Sequence, residues 1–374
     1  MTEYQSTPKS VFNRKSFRIG LKFGILLLVF SAFCLSVSAQ TAQVSQISLP
    51  AMGYYIAISP DSKTIAAAVN GTFYLDAVSP LTLPIQLIDI NTGSPLRQLI
   101  GNTDYASGLT FSPDGKTLAT YHNNGYIYLW DLSAKTLKSK FLVGAPSRGH
   151  NIQFLPDGQH LAMTEAGPLP VITLWDTASG QMTKFLIPTF DTYQQFDQLL
   201  TSEKVTLDSV VAFDISPDGK SLVAATAKEN VWLWDLTSGN GQLISSGDDL
   251  PYVSIRSITF TNDGSQIAYY DQHTNELHVW NVASGSESTP IPLDADVAVV
   301  SPDGKTVAWA KSGGDSVSIA PIADPNSATI VAIPGGIPHG LSLSFTPDGK
   351  EVIVNGSATL SGQVKAVLDV VHMP

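Results

Sequence analysis

Short runs in which apolar and polar positions alternate fill most of the chain, and one turn phrase separates them. Leu109 and Phe111 before the turn, and Leu118 and Thr120 after it, are spaced by two, the period of a half-buried strand. The turn recurs as SPDSK at Ser59, SPDGK at Ser112, LPDGQ at Leu155, SPDGK at Ser216, TNDGS at Thr261, SPDGK at Ser301 and TPDGK at Thr346. Its aspartates, Asp61, Asp114, Asp157, Asp218, Asp263, Asp303 and Asp348, are 53, 43, 61, 45, 40 and 45 residues apart. Proline presets φ for the first central position of a type I turn, aspartate suits the next, and glycine supplies the left-handed residue that rejoins two strands. A second turn, Asn123-Asn124-Gly125, leads into a third strand, YIYLWDL, and a fourth is expected from about Leu137 to Leu142.

Four short antiparallel strands do not bury both faces of their sheet alone. Seven such sheets bury them by stacking around an axis. The expected fold is therefore all-β: a seven-bladed β-propeller of four-stranded antiparallel blades. The last copy ends with its third strand, Gln363 to Val371, so the alternating segment Val44 to Leu49 is expected to supply the missing strand and close the ring. That closure also removes an exposed sheet edge.

The third strands carry LWD at Leu129–Asp131, Leu174–Asp176 and Leu233–Asp235, VWN at Val279–Asn281, and weaker LID at Leu87–Asp89 and VLD at Val367–Asp369. With the turn phrase and the period, these resemble the WD40-repeat family over about residues 44–374. Copy six departs, reading VSIAPI where the motif belongs. The family's network of His, Ser or Thr, Asp and Trp is expected to be mostly missing, with only Gly149-His150 matching its Gly-His pair. TolB-like and lactonase-like propellers share SPDGK but usually end their third strands differently.

Five basic residues, Lys9, Arg14, Lys15, Arg18 and Lys22, precede the uncharged 17-residue run Phe23 to Ala39, which ends in the small-residue site Val37-Ser38-Ala39. Residues 1–39 are expected to be a signal peptide or an N-terminal membrane anchor, with the propeller in 40–374. Either way the rest of the chain is placed outside the cytoplasmic membrane, extracellular or in the cell envelope, with membrane contact only through residues 23–39 if they are uncleaved. The sole cysteine, Cys34, lies in that run, so residues 40–374 form no disulfide. Of 21 basic and 32 acidic residues, five and one fall within 1–39, which leaves 16 and 31, a net −15. Such a surface repels phosphate backbones, so nucleic-acid binding is not expected.

No nucleophile elbow, HExxH, P-loop or EF-hand sequence is present. The histidines, including His122 and His160, are scattered without ligand spacing and read as surface or turn residues. The turn aspartates read as turn formers, and Trp130, Trp175, Trp234 and Trp280 as packing between blades. Two stretches exceed the period: 70–84, between the second and third strands of copy one, and 187–208, between blades three and four. By resemblance to WD40 geometry both open on the face opposite the SPDGK turns. Long connections in a compact fold are usually binding elements.

Phe73 and Tyr74 in the first, and Tyr193, Phe196, Leu199 and Leu200 on one side of a short helix in the second, are the candidate partner-binding residues. Asp104, Asp248, Asp249, Asp294 and Asp296 in the blade-to-blade connections form a candidate acidic rim for a basic partner or Ca²⁺. The expected function is that of a non-catalytic exported scaffold for a protein or peptide, monomeric and without a cofactor. The alternatives are a hydrolase- or lactonase-like propeller enzyme with an axial metal, and a structural protein of the envelope.

Overall fold

Each short alternating run folds as a strand, and the strands gather into seven antiparallel sheets. The computed structural model describes residues 42–49, 54–69, 84–102, 104–144, 151–164, 171–186, 209–247, 254–337, 342–360 and 363–373. The first strand of the described residues is β1 (Gln43–Ser48). Blade one holds β2 (Tyr54–Ile58), β3 (Thr64–Val69), β4 (Ile85–Asp89) and β5 (Pro95–Leu99). Blade two holds β6 (Ala106–Phe111), β7 (Thr117–His122), β8 (Tyr126–Asp131) and β9 (Thr136–Leu142). Blade three holds β10 (Ile152–Phe154), β11 (His160–Thr164), β12 (Ile172–Asp176) and β13 (Met182–Leu186). Blade four holds β14 (Val210–Ile215), β15 (Ser221–Thr226), β16 (Val231–Asp235) and β17 (Gly241–Ser245). Blade five holds β18 (Ile255–Phe260), β19 (Gln266–Asp271), β20 (Glu276–Asn281), β21 (Ser286–Glu287) and β22 (Ile291–Pro292). Blade six holds β23 (Val297–Val300), β24 (Thr306–Ala310), β25 (Ser316–Pro321) and β26 (Thr329–Ala332). Blade seven holds β27 (Ser342–Phe345), β28 (Glu351–Leu360) and β29 (Gln363–His372), with β1 as its outermost strand.

The closure expected from the alternating N-terminal segment is present: β1 runs antiparallel to β29 from Gln43↔His372 to Ser48↔Val367. Copy six keeps regular pairing although VSIAPI replaces the motif, with β25 bonded to β24 from Thr306↔Pro321 to Ala310↔Val317. Apolar alternation is enough to hold register there. Blade five differs from the expected four strands because its outer strand is split into β21 and β22, both bonded to β20. Pro290, which has no N–H to donate, lies in the gap.

The core is seven separate wedges, each between two neighbouring blades. Between blades one and two, Leu87 and Leu99 meet Phe111, Tyr128 and Trp130. At the closure, Ile47, Leu49, Ile353 and Leu368 meet Ile65 and Ile88. The second strands are buried on both faces, as in β7, because a blade lies on either side. The fourth strands form the perimeter and are largely exposed, as in β9. Each fully buried leucine or isoleucine contributes about 1.5–3 kcal/mol, so every wedge is a substantial local source of stability.

The turns explain their own repetition. In blade two, Ser112 Oγ donates to Asp114 Oδ1 (2.6 Å), which also accepts the Lys116 N–H (3.0 Å), while Ser112 Oγ accepts the Thr117 N–H (2.9 Å). The same hydroxyl-to-aspartate bond recurs at Ser59, Ser216, Thr261, Ser301 and Thr346. Leu155 has no hydroxyl, and there Asp157 Oδ2 lies 2.6 Å from His160 Nδ1 instead. The hydroxyl bond and backbone N–H groups hold Asp114 below the usual carboxylate range, and equivalent donors, led by the Thr261 hydroxyl, bring Asp263 down to about 2. In blade one serine replaces the turn glycine. Ser62 adopts φ 58°, and its Oγ accepts the N–H of Asp348 from the turn of blade seven (3.0 Å).

Candidate functional site

Antiparallel alternation puts every first-to-second-strand turn on one face of the ring. The second-to-third connections and the blade-to-blade connections share the other. The strand ends joined by the two long connections, Val69 and Ile85 in blade one and Leu186 and Val210 between blades three and four, are at that second face. Phe73, Tyr74, Tyr193, Phe196, Leu199, Leu200, Asp248 and Asp249 lie outside the described residues.

The three described members of the expected acidic rim are each engaged locally. Asp104 Oδ1 accepts the Tyr105 N–H (2.7 Å), and its main-chain carbonyl accepts Asn102 Nδ2 (3.0 Å). Asp294 is exposed and ion-paired with Lys311. Asp296 Oδ2 accepts the Ser312 N–H (2.7 Å). Among the described residues no group of three or more His, Cys, Asp or Glu side chains is placed to hold a metal ion.

Several features of this face are not announced by the sequence pattern. Six buried side-chain polar atoms of the described residues have no hydrogen-bond partner: Ser107 Oγ, Asn123 Oδ1, Glu229 Oε1, Trp234 Nε1, Ser254 Oγ and His278 Nε2. Ser107 starts an inner strand, Asn123 and Glu229 follow second strands, and Ser254 precedes β18, so four of the six belong to the insertion-bearing face. A cavity of about 230 Å³, lined among others by Tyr55, Ser107, Leu109, Asn151, Gln153 and Phe213, opens among the inner strands of blades one to four. Below it Asp214 ties three blades together. Its carboxylate accepts Gln153 Nε2 (2.8 Å) from blade three, and the Phe260 N–H (2.7 Å) and Thr259 Oγ1 (3.1 Å) from blade five. Desolvation pushes this carboxyl upward against those donors. Finally, β28 and β29 outrun their neighbours. The pairs from Ser357↔Ala366 to Leu360↔Gln363 continue past the reach of β27, which begins opposite Asn355, and of β1, which ends opposite Val367. This two-stranded arm stands on the same face.

The tryptophans are packing residues, as expected: Trp130, Trp175 and Trp234 are buried in successive wedges and Trp280 is half-buried in the next. The histidine reading needs correction at His122, which is fully buried. In blade two Trp130 Nε1 donates to Thr120 Oγ1 (3.0 Å), Thr120 Oγ1 meets His122 Nε2 (2.9 Å), and His122 Nδ1 meets the Asp104 carbonyl (2.9 Å). A Trp–Thr–His chain is thus present in this blade, ending on the main-chain carbonyl of Asp104 and not on its carboxylate, while Gly149-His150 lies outside the described residues. Burial lowers the His122 pKa to about 4, so the ring is neutral and structural. Elsewhere it is partial: Thr173 serves Trp175 (2.9 Å). Ala224, at the position of Thr120, leaves Trp234 without a partner. Among the described residues no helix is long and apolar enough to cross a membrane, and the expectation for residues 23–39 lies outside them.

Comparison with known proteins agrees with this architecture. The family model for the WD domain, G-beta repeat, matches residues 93–131. The chain is 28% identical over 189 residues to the target of rapamycin complex subunit wat1 of Schizosaccharomyces pombe, covering 50% of each chain. It is 22% identical over 218 residues to a WD repeat-containing protein WDS homolog of Arabidopsis thaliana, covering 57% of this chain and 37% of that one. It is 33% identical over 75 residues to the small ribosomal subunit protein RACK1 of Candida albicans, covering 20% and 23%. The aligned stretches span half or less of each of these relatives. Among solved structures, the Cps50 (Swd1) β-propeller domain of Myceliophteria thermophila superposes with a TM-score of 0.61 at 14% identity, covering 87% of this chain and 99% of that one.

Proposed function

We propose that this seven-bladed WD40-repeat propeller is a non-catalytic scaffold, held outside the cytoplasmic membrane, on which a protein or peptide partner docks through the insertion-bearing face. The observation that carries the reading is the cavity among the inner strands of blades one to four, where the apolar Tyr55, Leu109 and Phe213 lie beside the polar Ser107, Asn151 and Gln153. An apolar wall flanked by polar side chains gives a docking segment both a surface to cover and hydrogen-bond groups to meet. In the SPDGK turn of blade two, by contrast, the Ser112 hydroxyl and the Asp114 carboxylate are bonded within the turn. Two of the relatives are, by their names, parts of larger assemblies, a complex subunit and a ribosomal subunit protein. Export is supported by the basic stretch and apolar run of residues 9–39.

The test is affinity purification of the full chain from its own cells, comparing Asn151→Arg, which fills the cavity from an exposed position, with Lys220→Glu on the opposite face. The expected result is one co-purifying protein that Asn151→Arg releases and Lys220→Glu retains. Equal retention by both variants would refute the assignment of the face, and the partner's recovery with cytoplasmic proteins alone would refute the location.

A further inference from the structure

We propose a second docking site on the SPDGK face, in the groove between blades one and two. It fits a short segment of a partner protein in which an aliphatic or aromatic side chain is followed by lysine or arginine. The groove encloses about 480 Å³. Its apolar wall is formed by Leu87, Leu96, Phe111 and Leu132, and Pro60 and Pro113 of the two adjacent turns flank it.

Leu96 is the feature that distinguishes this groove. The β4–β5 ladder slips between Leu87↔Arg97 and Ile88↔Pro95, so Leu96 is the extra residue of a bulge, and it remains 55% exposed. The same slip in blades two and three leaves Lys138 and Thr183 as the extra residues. Only blade one of these three presents an apolar side chain to its groove. A leucine held in the open beside a concave apolar wall favours a partner side chain that covers it.

Charge selects the next residue of the partner segment. Four turn aspartates are ion-paired with the lysine two residues on: Asp114–Lys116 (4.0 Å), Asp218–Lys220 (3.9 Å), Asp303–Lys305 (3.7 Å) and Asp348–Lys350 (3.1 Å). Asp61, which lines the groove, has no ion pair among the described residues and takes only the Ser59 hydroxyl (2.6 Å) and the Lys63 main-chain N–H (3.2 Å). Asp114 stands on the other side of the same groove, held ionised by the Ser112 hydroxyl. An uncompensated carboxylate beside an apolar wall, on a chain whose residues beyond 39 carry a net −15, complements a hydrophobic residue next to a cation.

The experiment is fluorescence anisotropy with fluorescein-labelled acetyl-Gly-Gly-Leu-Arg-Gly-Gly-amide titrated with the full chain in non-ionic detergent. Saturable binding is expected. Asp61→Asn should weaken it about two- to fivefold, the range an exposed ion pair supplies. Leu96→Ser should weaken it about tenfold, whereas Leu96→Met, which keeps the apolar contact, should retain it. Asp218→Asn, the same charge change in the turn of blade four, should leave it unaltered, and a Leu-Glu peptide should bind more weakly. Absence of saturable binding, or affinity indifferent to Asp61→Asn and Leu96→Ser, or an equal loss in Asp218→Asn, would overturn the proposal. All three substituted positions, Asp61, Leu96 and Asp218, are exposed, and thermal melting of each variant shows whether the fold is retained.

Discussion

Gln46 Nε2 donates a 2.9 Å hydrogen bond to Oδ1 of Asp369, joining positions 323 residues apart, and a 3.0 Å bond to the Pro334 carbonyl. Gln46 belongs to the strand that closes the ring and Asp369 to the third strand of the last repeat, directly opposite in the ladder. Burial raises the Asp369 carboxyl to about 6, with Gln46 the donor that opposes the shift.

The closure is therefore expected to be pH-sensitive. A carboxyl whose folded-state pKa is raised binds its proton more tightly when folded, so its contribution to stability grows as pH falls from about 6 towards 4. His122 acts in the opposite sense over a similar range, because its lowered pKa means the unfolded state takes up the proton first. The clean observable is the difference between Asp369→Asn and the parent. The variant should gain about 1–2 kcal/mol over the parent at pH 7, with part of the full shift discounted for solvent screening, and lose most of that advantage by about pH 4. Urea unfolding at the two pH values measures it, and a difference independent of pH would refute the role given to Asp369.

The closing strand should be indispensable. Ile47 is buried among Ile88, Ile353 and Leu368, so Ile47→Ala is expected to cost about 2–4 kcal/mol in urea unfolding. A loss below about 0.5 kcal/mol, the scale of an ordinary surface substitution, would mean the clasp contributes little.

In blade two, Thr120→Val preserves shape but strips Trp130 Nε1 and His122 Nε2 of their shared oxygen, and should cost about 2–3 kcal/mol. The converse experiment is available in blade four. Ala224→Ser supplies an oxygen at the position of Thr120, beside the unpartnered Trp234, and should add about 0.5–1.5 kcal/mol. Paired urea curves monitored by tryptophan fluorescence test both.

Two glycines separate backbone strain from crowding. Gly285 has φ +61° and nothing within 4 Å of an added Cβ, so Gly285→Ala should cost about 1 kcal/mol from strain alone. Gly304 has φ +72° and would place a Cβ 2.7 Å from Thr261 Cγ2, so Gly304→Ala should cost more. Equal losses would show that the turns yield freely.

The repeat was legible because the turn chemistry is local. Serine, proline, aspartate and glycine satisfy one another within six residues, so seven turns could be counted from Asp61 to Asp348 without knowing any long-range contact. The closure was legible because the last copy lacked one strand and an alternating segment was left over at Val44 to Leu49. The His122 network was missed because its parts belong to three different elements, brought together only when the connection holding Asp104 folds over the second strand. A threonine two residues before a histidine, with tryptophan eight beyond it, is the signal that was present. The arm of blade seven was illegible for another reason. Its extent is set by where β27 and β1 stop, and the alternation continues unchanged through Ser357 to Leu360. The groove beneath Leu96 depends on a one-residue bulge, which leaves no periodic trace.

The most direct test of the central claim is photo-crosslinking in the cells that make the protein. A photoreactive residue is placed in turn at Asn151 and His273, exposed on the insertion-bearing face, and at Lys220 and Lys350, exposed on the SPDGK face away from the groove of blades one and two. The account predicts the same crosslinked partner, identified by mass spectrometry, from Asn151 and His273 and none from Lys220 or Lys350. Adducts confined to the two lysine positions, or no adduct from any of the four, would contradict it.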